Sequence, residues 1–162
     1  MAFEYPHPGF HFLVLFELFP QFPNDIRFQE VSGLAVSTKF QPWTEGGENR
    51  FTHQLPVGLQ FNDVVLKRGR LPGSGILNWA RQAVEHFEFK PTNLMISLLN
   101  ETHLPIYNWY VVNAVPKRLE ISGINAMTNE VVVETLTLTY QYFKYYDTTN
   151  PAVGLSANVS IG

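Results

Sequence analysis

From Asn129 to Tyr146 the chain reads as one extended run, with Thr135, Thr137 and Thr139 alternating against Glu134, Leu136, Leu138 and Tyr140. Period-two patterning of this kind is that of a β-strand with two different faces. At more than fifteen residues the run is about three times the usual strand of five or six. Shorter neighbours in one small domain cannot cover both of its ends. Backbone N–H and C=O groups left at such an edge invite pairing with another chain. A second copy of the same chain, paired strand to strand until a ring closes, is one solution.

The rest of the chain is punctuated in the same β-rich way. Phe10–Phe16 is a short apolar run between Pro8-Gly9 and Pro20, and predicts a buried strand. Phe28–Phe40 alternates in part, with Gly33 marking a bulge or change of direction. Turn residues fill Gln41–Asn49, and a strand restarting at Arg50–Leu55 completes a long hairpin. Further strands are expected at Phe61–Lys67, Asn93–Leu99, Ile106–Ala114 and Lys117–Ser122. One helix stands out after the break Leu71–Gly75. Ser74 or Gly75 caps it, and Ile76, Ala80, Ala83, Val84 and Phe87 recur at helical spacing. About seven or eight strands and one helix predict a mainly β fold, an antiparallel sandwich or barrel with a flanking helix. Residues 1–146 form the single expected domain, and 147–162 a small, polar tail expected to be flexible or loosely docked.

Composition narrows the function classes. Charged residues are 15% of the chain and aromatics 14%, against a usual charged share of about 25%. So much ring surface with so little charge implies a large core or an apolar exterior covered by partners. Lys67, Arg68 and Arg70 are the densest basic group, too few for a nucleic-acid stripe. Cysteine is absent, which excludes disulfides and thiolate metal sites. The N-terminal apolar stretch carries Glu4 and Glu17 and lacks a basic segment, so no export signal is expected. Its apolar core, Phe12–Phe16, is far shorter than the roughly 20 residues of a membrane span.

No catalytic constellation emerges. The histidines at 7, 11, 53, 86 and 103 have no metal-ligand spacing, and nucleophile signatures such as GxSxG are missing. Gly69–Gly75 lacks the lysine and hydroxyl ending of a phosphate loop and reads as a strand-to-helix turn. Glu45 with Glu48, and Glu130 with Glu134, are solvated or interface carboxylates by default. The expectation is no enzyme, no cofactor and no metal.

Particular segments nonetheless carry a resemblance. Phe28–Leu34 (FQEVSGL), Glu45–Gly58 (EGGENRFTHQLPVG), Leu66–Gly69 (LKRG), Ile96–Glu120 and Asn129–Phe143 (NEVVVETLTLTYQYF) occur in that order. Together they resemble the inner tube proteins of contractile injection systems and contractile phage tails, a group similar in fold to the type VI secretion tube protein. The resemblance implies hexameric rings that stack into a hollow tube, with strands of neighbouring copies joined around the lumen. It implies as partners the chain itself, a sheath protein, baseplate and tube-terminating proteins, and effector cargo in the lumen. The place implied is the bacterial cytoplasm, followed by assembly into a phage-tail-like particle. Glu45, Gly46, Gly47, Glu48, Asn49 and Arg50 are the expected inter-ring stacking loop. Asn129, Glu130, Val132 and Glu134 are the expected interface strand. Two other readings stand beside the shaft subunit: a baseplate-proximal tube initiator of the same machine, and a monomeric β-barrel that binds an apolar ligand.

Overall fold

The computed structural model describes residues 11–18, 27–47, 50–69, 73–127 and 131–148. In chain order the elements are β1 (His11–Phe16), β2 (Arg27–Phe28), β3 (Glu30–Ser32), β4 (Val36–Trp43), β5 (His53–Phe61) and β6 (Val64–Gly69). They continue with α1 (Gly75–His86), β7 (Thr92–Leu99), β8 (Pro105–Ile121), β9 (Val133–Thr139) and β10 (Tyr142–Asp147).

An antiparallel ladder runs β2-β1-β7-β8-β9-β6-β3, with β10 also paired to β8. Only Gln29 separates β2 from β3, and its N–H donates to the Lys67 carbonyl at 2.9 Å. Both ends of the ladder are therefore one stretch of chain, and the sheet closes into a barrel. Its interior is filled by Val14, Phe16, Phe28, Val64, Leu66, Leu94, Ile96, Val111, Leu136 and Leu138. Inward residues alternate along each strand, as the period-two patterning requires.

Several strand boundaries differ from expectation: Phe28–Phe40 is divided among β2, β3 and β4, β4 runs on to Trp43, and the return strand is His53–Phe61. Two further differences have linked reasons. The runs at 106–114 and 117–122 are one strand, β8, which keeps going through Pro116 because the ladder shifts register there. The run at 129–146 is two strands, β9 and β10, both antiparallel to β8. Asn113 lies at φ 52, where its N–H donates to Asn93 Oδ1 at 3.0 Å and its Nδ2 donates to Gln141 Oε1 at 2.9 Å. β8 bends at this point, and the partner run breaks beside it at Tyr140–Gln141. One ribbon thereby serves two parts of the barrel. The sheet also extends past residue 146: the Thr148 N–H donates to the Ile106 carbonyl at 3.0 Å. Residues 149–162 lie outside the described part.

Helix α1 starts at Ser74, whose Oγ accepts from the Leu77 N–H at 3.2 Å. Such a cap contributes typically about 1 kcal/mol. The helix buries Ile76, Trp79, Ala80 and Ala83 against the barrel. Trp79 meets Phe16 edge-on and donates Nε1–H to the Lys90 carbonyl at 2.9 Å. Val84 and Phe87, expected on this inner stripe, are exposed instead. The helix ends at His86, and Phe87 adopts the left-handed conformation at φ 56, which turns its ring into solvent at 82% exposure.

Candidate assembly surfaces

Three surfaces lack cover from the other described residues. The first is the hairpin β4–β5. Its strands pair from Val36↔Phe61 to Trp43↔His53, with a register shift after Lys39 that leaves Val57 as the extra residue. Only Phe61, at the root, is less than exposed; it packs on Tyr140 and Phe143 at ring separations of 6.0 and 5.3 Å. The pairing register places Val36, Phe40, Pro56, Leu59 and Phe61 on one face, which makes that face apolar. Leu59 stays 62% exposed and Phe40 55%. A two-stranded hairpin alone is marginal in water at best.

Gly33 sets the direction in which the hairpin leaves the barrel. At φ +84 it occupies a region open to glycine, and a Cβ there would lie 1.9 Å from the Asp63 carbonyl oxygen. The change of direction expected at Gly33 is where the barrel chain leaves for the hairpin. Across the root, Lys117 Nζ meets Asp63 Oδ2 at 2.6 Å.

The second surface is an edge. β9 has β8 on one side and β6 on the other, whereas among the described residues β10 pairs with β8 alone. Beside this open edge Tyr107, Trp109 and Tyr145 cluster with ring separations of 5.7 to 6.3 Å.

The third surface is the face of β1, β7, β8 and β10 turned away from the core. Leu15, Met95, Tyr110 and Lys144 stand in one row across it, and Leu13, Ser97, Asn108 and Tyr146 in the next. Ser97 Oγ donates to Asn108 Oδ1 at 2.6 Å. Glu17, following β1, accepts from Asn93 Nδ2 at 2.9 Å and from the Tyr110 hydroxyl at 2.7 Å. The hydrogen bond to Glu17, with lesser help from burial and from the carboxylate charge, raises the Tyr110 phenol above its ordinary 10.0. Tyr110 thus stays a neutral donor to the acid.

The residues expected at assembly sites fall in different places. Glu45, Gly46 and Gly47 lie at the hairpin tip, where Gly47 has φ +99; Arg50 begins the return. Glu48, Asn49, Asn129 and Glu130 lie outside the described residues. Val132 is half-buried just before β9. Glu134 requires a correction. It is 4% exposed, and its Oε2 lies 3.5 Å from Arg68 Nε, itself buried. Arg68 also donates to Ser74 Oγ and stacks over the Phe28 ring at 5.1 Å. With both edges of β9 occupied and its carboxylate turned inward, Glu134 holds the subunit's own interior together. The open edge is at the other end of the expected run, in β10.

The missed surfaces had signals in the sequence. Phe40, Pro56 and Leu59 flank the glycine-rich turn on either side. Asn93, Asn108, Tyr110, Tyr142 and Tyr146 alternate onto one sheet face, which they share with Leu13, Leu15, Met95 and Val112. Among the described residues no group of three or more His, Cys, Asp or Glu could hold a metal ion. No helix among them is long and apolar enough to cross a membrane.

Comparison with known proteins gives these surfaces a context. Residues 8–144 match the family of the T4-like virus tail tube protein gp19. A chain of the anti-feeding prophage baseplate superposes with a TM-score of 0.75 at 27% identity, covering 93% of this chain and 100% of its own. A chain from the tube terminating cap of the same prophage gives 0.72 at 26%, covering 91% and 95%. An Hcp protein shares the fold at 12% identity, with a TM-score of 0.55 and coverage of 86% and 91%. No curated protein matches the sequence. The matched span takes in every strand and the helix, up to Lys144 in β10, and the chain belongs to the T4-like virus tail tube protein gp19 family, as a structural tube subunit.

Proposed function

We propose that the protein is the shaft subunit of the inner tube of a contractile, phage-tail-like injection particle, that it forms six-membered rings, and that the rings stack. It is not an enzyme. The hairpin β4–β5 carries this reading: beyond its root, its apolar face has no cover among the described residues. At about 3.3 Å per residue such a hairpin reaches roughly 25–30 Å from its root, far enough to cross onto another copy. Its tip, Glu45–Arg50, is placed to contact the next ring, and the β10 edge to pair with a strand of the lateral neighbour. Both contacts are heterologous, one closing a ring and the other propagating a tube.

A sheath surrounds the tube in this reading, and baseplate and terminating proteins bound its ends. Assembly takes place in the bacterial cytoplasm. A ligand-binding barrel is disfavoured because side chains of the core fill the interior.

The test is microscopy of the purified full-length protein at rising concentration. A shaft subunit gives tubes of constant width and growing length. Single rings that never lengthen would assign it to the tube initiator, and persistent monomers would overturn the reading.

A further inference from the structure

Beyond the three surfaces above, the loop between β8 and β9 holds apolar side chains in solvent. Ile121, Ile124 and Val131 are exposed, and Met127 is 93% so. No charged residue falls between Ile121 and Met127. The neck of the loop is fixed by two hydrogen bonds. The Ser122 N–H donates to the Val133 carbonyl at 2.8 Å, and the Val133 N–H donates to Ser122 Oγ at 2.9 Å. Nearer its tip the Met127 N–H donates to Asn125 Oδ1 at 2.9 Å. A tied, uncharged loop that places so much apolar surface in water marks a contact site.

Its position decides what can reach it. Strands β6 and β9 pair from Val64↔Leu138 to Gly69↔Val133. The hairpin β4–β5 joins this ladder at the first end, through Asn62 and Asp63, and the β8–β9 loop stands at the second. The six residues of β6, at about 3.3 Å each, set the two ends roughly 17–20 Å apart. The projecting element and the uncovered loop are thus at opposite poles of one ladder. Head-to-tail stacking requires two different surfaces, one at each pole, that fit each other on successive copies.

We infer that the β8–β9 loop is the seat for the apolar face of the hairpin β4–β5 of another copy, one ring away. The inference rests on the tube reading above and adds the receiving surface. The two surfaces agree in chemistry. On the hairpin the face is Val36, Phe40, Pro56 and Leu59, uncharged like the loop. Met127 suits the seat, because its unbranched thioether adapts to an irregular surface of ring and proline. The hairpin's reach, roughly 25–30 Å at about 3.3 Å per residue, exceeds the length of the ladder. Its face as well as its tip can therefore lie along the next copy. A contact of this kind is held by apolar burial and is insensitive to salt.

The chain has no cysteine, so Leu59→Cys and Met127→Cys each introduce a single thiol. In tubes grown from an equal mixture of the two variants, a short bis-maleimide should link chains at least about tenfold more than in tubes of either variant alone. A head-to-tail contact brings position 59 to position 127 and neither to itself. Should that mixture not form tubes, Pro56→Cys with Ile124→Cys tests the same contact. No excess of mixed dimers in tubes of normal width would overturn the inference while the tube reading stands. Failure of the unaltered chain to form tubes would overturn both.

Met127→Asp tests the seat without a cross-link. The critical concentration for tubes should rise at least about tenfold in pelleting assays. Melting of the dispersed subunit should shift by no more than about 2 °C, since the side chain is already in water. An unaltered critical concentration would refute the seat. So would a variant subunit that melts well below the parent, because the loop would then serve its own fold.

Discussion

The barrel and the hairpin are both antiparallel β-structure, yet they stand in opposite relation to water. In the barrel, strands β1, β6, β7, β8 and β9 each bury at least one apolar residue to 0% exposure, and a helix adds Ile76 and Ala80. The hairpin β4–β5 has comparable strand length and a clear apolar face, but exposes every residue except Phe61. Strand chemistry is therefore not what separates them. The barrel supplies both faces of its own core, while the hairpin presents one apolar face that no described residue covers beyond its root. In the proposed function, stability resides in the first and assembly in the second.

The comparison breaks most severely at the buried ion pair. Glu134→Ala leaves Arg68 desolvated beside Phe28 with its carboxylate partner gone, and should destabilise the barrel by about 3–5 kcal/mol. Chemical denaturation of the dispersed subunit measures the loss. A change below about 1 kcal/mol would mean that the pair is not buried as described.

Next in size, Leu59→Asp puts a charge on the hairpin's apolar face. The dispersed subunit should lose less than about 0.5 kcal/mol, because Leu59 is already exposed there. Tube assembly should weaken by about 2–3 kcal/mol for each copy, seen as a critical concentration raised at least tenfold in pelleting assays. Equal loss in both measurements would remove the distinction between the two regions.

The smallest effect is expected where they meet. Tyr140 packs on Phe61 at the hairpin root, and its buried hydroxyl has no protein partner among the described residues. Burial, then the charge of Asp63, pushes its phenol up to about 12 from 10.0. Below pH 10 the phenol is neutral whether folded or unfolded. Between 10 and about 12 the unfolded chain ionises first, so stability falls as pH rises. Tyr140→Phe should change neutral-pH stability by no more than about 1 kcal/mol, in the stabilising direction. It should also flatten the alkaline loss, as thermal melts across that range would report.

These regions were unequally legible in the amino-acid sequence. Local signals placed the helix, narrowed its cap to Ser74 or Gly75 and marked Gly33 as a bulge or change of direction, because capping and positive φ depend on neighbours close in the chain. The hairpin was legible as two strands about a glycine-rich turn. Its uncovered face was not, since exposure depends on what the rest of the fold leaves vacant. Glu134 was misplaced for the same reason: an acid in an alternating strand reads as outward until its partner is known, and Arg68 comes from a distant strand. The strands expected at Ile106–Ala114 and Lys117–Ser122 leave Pro116 between them, yet it sits where the β8–β9 ladder shifts register and the strand continues.

Backbone hydrogen exchange of β4–β5 before and after assembly addresses the central claim most directly. Dispersed subunits should show slow exchange in β1, β6, β7, β8 and β9 and fast exchange from Val36 to Leu59. In tubes the hairpin amides should slow by at least about a hundredfold, while the barrel core changes little. Hairpin amides that exchange as fast in tubes as in free subunits would contradict the account.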